Sequence, residues 1–205
     1  MIEIVQGDRG IKVLRRDGRL LASRFDPWGE AEAWLARRSA FIGQAKTIFV
    51  LGLGSGYHVA VLLKRSAARV VVIEPDPELI TAVQRLHALS GPRVRIECVA
   101  DIKTLRASEV VREALRETFV VLMHPSCLAF QSEFFKECRS TLLGRDWGAL
   151  TWQWQIKGLP ELDSTARVDS TGEPLTIYDL EQTELVQNSE ERERLLLKAL
   201  RELVK

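Results

Sequence analysis

The chain has 205 residues, 46% of them hydrophobic and 28% charged, with 29 Lys and Arg against 28 Asp and Glu. A net charge of +1 supplies no global field for nucleic acid, and no apolar run approaches the ~20 residues that a membrane helix needs. The opening "MIEIVQGDRG" has neither the charged nor the apolar region of a signal peptide, so a cytoplasmic protein without membrane or nucleic-acid partners is expected.

This length fits one α/β domain with an appendage better than two very small domains. The charge is uneven: residues 1–46 carry nine Lys or Arg against six Asp or Glu, and residues 159–205 carry six against eleven. The acidic end is a solvated surface or a contact for a basic partner. Cys98, Cys127 and Cys138 show no metal-ligand spacing and are expected to be buried free thiols; no metal is expected.

In chain order, "IKVLRRDGRLLAS" (11–23) predicts two short strands around Asp17-Gly18, a dipeptide suited to a type I′ turn. Asp26-Pro27 opens a helix as N-cap and first residue, with Trp28, Ala31 and Leu35 on one face. From Thr47 strand and helix alternate. The strands "TIFVLGL", "RVVVIE", "RVRIECVA" and "TFVVLMH" are continuous apolar runs, as in a parallel sheet covered on both faces. Helices are predicted at His58–Arg65, Pro77–Ala88, Ile102–Arg116 and Leu128–Leu143, with Asp76 capping the second.

After Gly144 the pattern weakens. "ALTWQWQIKG" alternates like a strand, with Trp152 and Trp154 on one face as core or as a homodimer contact. Residues 159–188 are polar and turn-rich, and Asn188 with Glu191 forms a capping box for a last helix with Leu195, Ala199 and Leu203 on one face. The expected organisation is a hairpin-helix preface (1–45), a Rossmann-like α/β core with a mostly parallel sheet (46–158), and an acidic linker with a C-terminal helix (159–205).

The chemistry concentrates in "TIFVLGLGSGYHVAVLLKRSAARVVVIEPDPELI" (47–80). Gly52, Gly54 and Gly56 sit where the first parallel strand turns into a helix, so backbone can approach a ligand near unpaired N–H groups. Glu74 ends the next strand 18 residues after Gly56. In a right-handed βαβ unit that strand end lies beside the glycine turn, where a carboxylate can accept both ribose hydroxyls. Standing at a ligand edge rather than in the core, Glu74 is expected to matter little for stability. The competing reading is a tight turn with a surface glutamate.

A dinucleotide fingerprint would want its third glycine at position 57, which is Tyr57. The G-x-G-x-G of Gly52, Gly54 and Gly56 is instead similar to the first motif of class I S-adenosylmethionine-dependent methyltransferases. That resemblance implies a methyltransferase-like fold, with Asp101, after the third strand, facing the base; Asp101 serves equally well as a helix N-cap. It also places His124 where an acceptor would bind, as base or ligand contact, or as the one catalytic candidate. Where such enzymes carry an acid two residues before the first glycine, this chain has Val50. Tyr57 could stack on a base, and His58 could hydrogen-bond a ligand or be satisfied locally. His87, late in a helix, is expected to be favoured by the dipole.

A narrower resemblance rests on "SRFDPWGEAEAWL", "VLGLGSGYH", "VVVIEPDPEL" and "VVLMHPSCLAFQSEFFKE", in that order over residues 12 to 143. The chain resembles the N-terminal region of the motility-associated factor (Maf) glycosyltransferases, within the group that includes the MptE-like proteins. That implies a nucleoside- or nucleotide-binding domain accessory to flagellar or surface glycosylation, taking S-adenosylmethionine or a CMP/UDP-type nucleotide, with a glycosylation or motility protein as partner. An active S-adenosylmethionine-dependent methyltransferase and a non-catalytic partner-binding module stay open as alternatives.

Overall fold

The computed structural model describes residues 1–43 and 45–158. The residue 159–205 expectations, capping box and last helix included, lie outside them.

The first layer is a three-stranded antiparallel sheet of β1 (Ile2–Gln6), β2 (Lys12–Arg16) and β3 (Arg19–Leu20), in the order β1-β2-β3. Asp17 (φ 48°) and Gly18 (φ 80°) both take positive φ, as the expected I′ turn requires. Strand β1 was not anticipated. Its inward residues, Ile2 and Val5, break strict alternation, and only pairing with β2, in the register Ile4↔Leu14, makes it a strand. α1 (Pro27–Ala36) follows, with the Asp26 carboxylate accepting from Gly29 N at 2.8 Å. Its buried stripe is Ala31, Trp34 and Leu35, whereas Trp28 is only half-buried. α2 (Ser39–Ile42) is a single turn.

The second layer is a parallel sheet of β4 (Thr47–Leu51), β5 (Arg69–Glu74), β6 (Val94–Cys98) and β7 (Phe119–Met123), ordered β6-β5-β4-β7. All five residues of β4 are buried, which explains its unbroken apolar run. α3 (Tyr57–Arg65) and α4 (Pro77–Leu86) cross over between the first three strands. The strand order reverses between β4 and β7, so the topological switch point lies at their carboxyl ends. The expected Rossmann-like α/β class, with its N-terminal hairpin, is therefore the fold.

Two predicted long helices are each broken. α5 (Ile102–Ala107) and α6 (Glu109–Ala114) part at Ser108, whose hydroxyl accepts from Val111 N at 3.2 Å and restarts the helix. α7 (Pro125–Phe130) and α8 (Ser132–Leu142) part at Gln131.

The chain divides into two compact units, Met1–Leu143 and Gly144–Lys205, so the preface belongs to the same unit as the parallel sheet. In the second unit, "ALTWQWQIKG" is not a strand. It lies mostly in α9 (Trp147–Ile156), started by the Asp146 carboxylate accepting from Ala149 N at 2.8 Å. In a helix Trp152 and Trp154 point about 200° apart, so they share no face. Cys138 is buried, with its thiol pushed up to about 12 by desolvation, but Cys98, expected inside, is exposed at the end of β6. Among the described residues no helix is long and apolar enough to cross a membrane.

Candidate functional site

The carboxyl ends of β4, β5 and β7 bring together most of the residues singled out from the sequence. Gly52 through Val59 are all buried, so the glycine turn forms the floor of a packed edge. Gly54 (φ 50°) and Gly56 (φ 83°) are required by conformation and by space. A Cβ on Gly54 would stand 2.7 Å from His124 Cε1, and one on Gly56 would stand 2.7 Å from Val83 Cγ1 and 2.9 Å from His87 Cδ2. The close approach to these glycines is thus made by the protein's own side chains.

Glu74 closes the βαβ unit at the predicted place, but it is not a surface group. It is 2% exposed, and its carboxylate ties the glycine turn to the start of α4. Oε2 accepts from Leu53 N in the glycine turn at 2.9 Å, and Oε1 accepts from Asp76 N at 3.2 Å. Burial raises its pKa to about 7, against the opposing pull of those two N–H bonds. The expectation that Glu74 matters little for stability is therefore corrected: removing it strands two backbone donors.

The hairpin lies across this edge. Leu14 N donates to Ser55 Oγ at 3.0 Å, the Tyr57 hydroxyl donates to the Lys12 carbonyl at 2.5 Å, and Arg16 pairs with Asp76 at 3.2 Å. Arg16 also lies over the Phe130 ring, 5.1 Å from its centroid. Tyr57 is thus spent on the hairpin, with burial raising its pKa, and its ring packs edge-on against Trp28 and His87.

All three histidines meet at the glycine turn. The Gly52 carbonyl accepts from His58 Nε2 at 3.2 Å, and the Ser55 carbonyl accepts from His87 Nε2 at 2.9 Å, which sets both tautomers. His124, the first residue after β7, donates its backbone N–H to the Leu51 carbonyl at 2.9 Å. Its ring stacks on His58, with centroids 3.9 Å apart and planes within 20°. Trp34 packs on the pair, 5.4 Å from His58 and 6.3 Å from His124. Burial holds His58 well below its ordinary value, and burial with the Arg38 charge brings His124 to about 4. Both rings are therefore neutral at pH 7. His87 is lowered too, chiefly by burial. It ends α4 with extended backbone, so it reaches across to Ser55 rather than serving the helix dipole.

Asp101 stands apart from this packing. It is exposed and N-caps α5, its carboxylate accepting from Thr104 N and Thr104 Oγ1, both at 2.7 Å, and these bonds hold its pKa below the ordinary value. The cap reading is realised, with spare lone pairs facing solvent. Val50 is 0% exposed inside β4. Ser55, His87 and Trp34 were not foreseen as parts of the site. For Ser55 and His87 the signal was faint: small or imidazole side chains near a glycine turn, whose partners lie more than 30 residues away. Among the described residues no group of three or more His, Cys, Asp or Glu could hold a metal ion.

No protein-family model matches the chain, and no curated protein matches it. A solved structure of spermidine synthase in complex with the transition state analogue AdoDATO is similar, at a TM-score of 0.48 and 16% identity, over 76% of this chain. This chain spans 63% of that structure's length.

Proposed function

We propose that the chain is a Rossmann-like nucleoside- or nucleotide-binding protein, related to the N-terminal domain of the Maf glycosyltransferases and accessory to surface or flagellar glycosylation. One observation carries the reading: a buried carboxylate at the end of β5 that joins the glycine turn to the start of α4. A carboxylate has about four lone-pair directions. Leu53 N and Asp76 N take two, and the remaining two are what a ribose diol needs. With its pKa near 7, Glu74 can accept from one hydroxyl and, when protonated, donate to another. Asp101, one strand further along the same edge, has room to meet a base. The residues present suit the nucleoside end of S-adenosylmethionine or of a CMP/UDP-type nucleotide. They do not suit the methionine end, because Val50 is apolar and enclosed.

The test is a differential melting panel of S-adenosylhomocysteine, CMP, UDP and GDP on the full chain. A ligand at a hundredfold excess over its dissociation constant stabilises by ~2.7 kcal/mol, which is a readable shift. We expect one base class to shift the midpoint and the others not. No shift with any ligand would remove the reading.

The second reading, a non-catalytic partner-binding module, is favoured by the rings of His124 and His87 filling the approaches to Gly54 and Gly56. An inert panel combined with capture of a glycosylation or motility protein would make it the better account.

A further inference from the structure

On the switch-point side of the sheet edge, Trp34 and Arg38 bring together donors with no acidic partner among the described residues. Trp34 on α1 is 3% exposed, and its indole Nε1–H has no hydrogen-bond partner among the described residues. Buried donors are almost always satisfied, so this N–H calls for an acceptor that the described side chains do not supply. The Arg38 guanidinium sits over the Trp34 ring, 4.6 Å from its centroid. Arg38 is half-buried, its sequence neighbour is Arg37, and among the described residues no carboxylate pairs with it. Its charge nevertheless reaches His124 at the end of β7. A guanidinium taken partly out of water is ordinarily paired.

One bond has a local explanation. Arg38 Nη1 donates to the Trp34 carbonyl at 2.8 Å, which satisfies a last-turn carbonyl of α1. That uses one of five guanidinium N–H donors and accounts neither for the indole N–H nor for the missing acid. We propose that Arg38, with the Trp34 indole N–H as its inner donor, forms an anion-binding subsite beside His124, taking a carboxylate or phosphate group of a second ligand. A planar fork on an aromatic face matches the paired oxygens of either group. The subsite goes beyond the nucleoside reading and does not depend on Glu74.

The test titrates the full chain with sodium phosphate and, separately, sodium acetate, with ionic strength held constant by sodium chloride. The readout is the indole 1H–15N resonance of Trp34, assigned by its loss in Trp34→Phe. We expect a saturable shift at millimolar concentration with at least one anion; phosphate alone points to a phosphorylated ligand, and acetate to a carboxylate. Arg38→Gln should weaken the response about tenfold, as loss of one charge-assisted contact does. Arg65→Gln, which breaks only an exposed pair with Glu32, should leave it unchanged. A drift that never saturates, an adventitious ion only, overturns the proposal, as does wild-type affinity in Arg38→Gln. Should Arg38→Gln fail to fold, Arg38→Lys keeps the charge and a donor for the Trp34 carbonyl. It should bind several-fold more weakly through loss of the fork, and undiminished affinity there is the overturning result. Because the probes carry no nucleoside, a negative outcome leaves the nucleoside reading standing.

Discussion

Glu74 and Asp101 stand at the ends of neighbouring parallel regions of one sheet edge, yet their carboxyls are pushed in opposite directions. Glu74 is enclosed by the hairpin and the glycine turn, and desolvation raises it to about 7 despite two backbone N–H bonds. Asp101 has equally good bonds to Thr104 but stays in water, and its pKa falls. Hydrogen bonds pull both carboxyls down: at Asp101 they set the shift, and at Glu74 desolvation outweighs them. Burial at one position and water at the other thus separate the proton affinities of two carboxyls on one sheet edge.

The enclosed side should be the easier to break. Gly54→Ala places a methyl group within 2.7 Å of His124 at a φ of 50°, so it meets both overpacking and left-handed strain. The two together predict a loss of about 2–4 kcal/mol in urea unfolding. His124 cannot move aside without giving up its stacking on His58.

The difference also predicts a pH signature. Glu74 has a folded pKa above its unfolded value of 4.5, so its protonated form favours folding. That contribution is fully present below pH 4.5 and is lost as the pH rises through 7. Over this window the wild type should lose about 3 kcal/mol relative to Glu74→Gln. His124 works with the opposite sign, because its folded pKa of about 4 lies below the ordinary 6.5. Its contribution is complete above pH 6.5 and is lost as the pH falls toward 4. Urea unfolding of wild type and Glu74→Gln at pH 4.5 and 7.5 isolates the Glu74 part. A gap between them that does not change with pH would show that the carboxyl is not enclosed.

At neutral pH, Glu74→Ala should cost about 1–3 kcal/mol, since two stranded N–H groups outweigh the relief of a buried charge. Asp101→Ala removes only an exposed cap and should cost less than Glu74→Ala. Equal losses at the two positions would erase the contrast between the two carboxyls.

Much of this edge was legible in the sequence, because strand, glycine turn, helix, strand and terminal acid follow within 28 residues, Thr47 to Glu74, and each signal is local. What could not be read is what covers the edge. The cover over this edge comes from β2, whose Arg16 pairs with Asp76 and whose Leu14 N–H bonds Ser55, 41 residues further along the chain. The histidine stack joins α3 to the end of β7, and no periodicity announces such a contact. α9 was misread for a local reason. Alternating Trp and Gln imitates a strand over a few residues, and the decisive signal was Asp146, an N-cap like Asp26 and Asp76, which were recognised because a proline followed them.

The central claim is that the enclosed Glu74 carboxylate receives a ribose diol. The most direct measurement is calorimetric titration of the best nucleotide of the panel against its 2′,3′-dideoxy form, in wild type and in Glu74→Ala. Each hydroxyl–carboxylate bond is worth ~1.5–3 kcal/mol at best, so a net loss of that size predicts about 10- to 150-fold weaker binding of the dideoxy form to wild type. Glu74→Ala should bind the two forms alike. Equal affinity of both forms for the wild type would contradict the claim and leave the glycine turn as architecture.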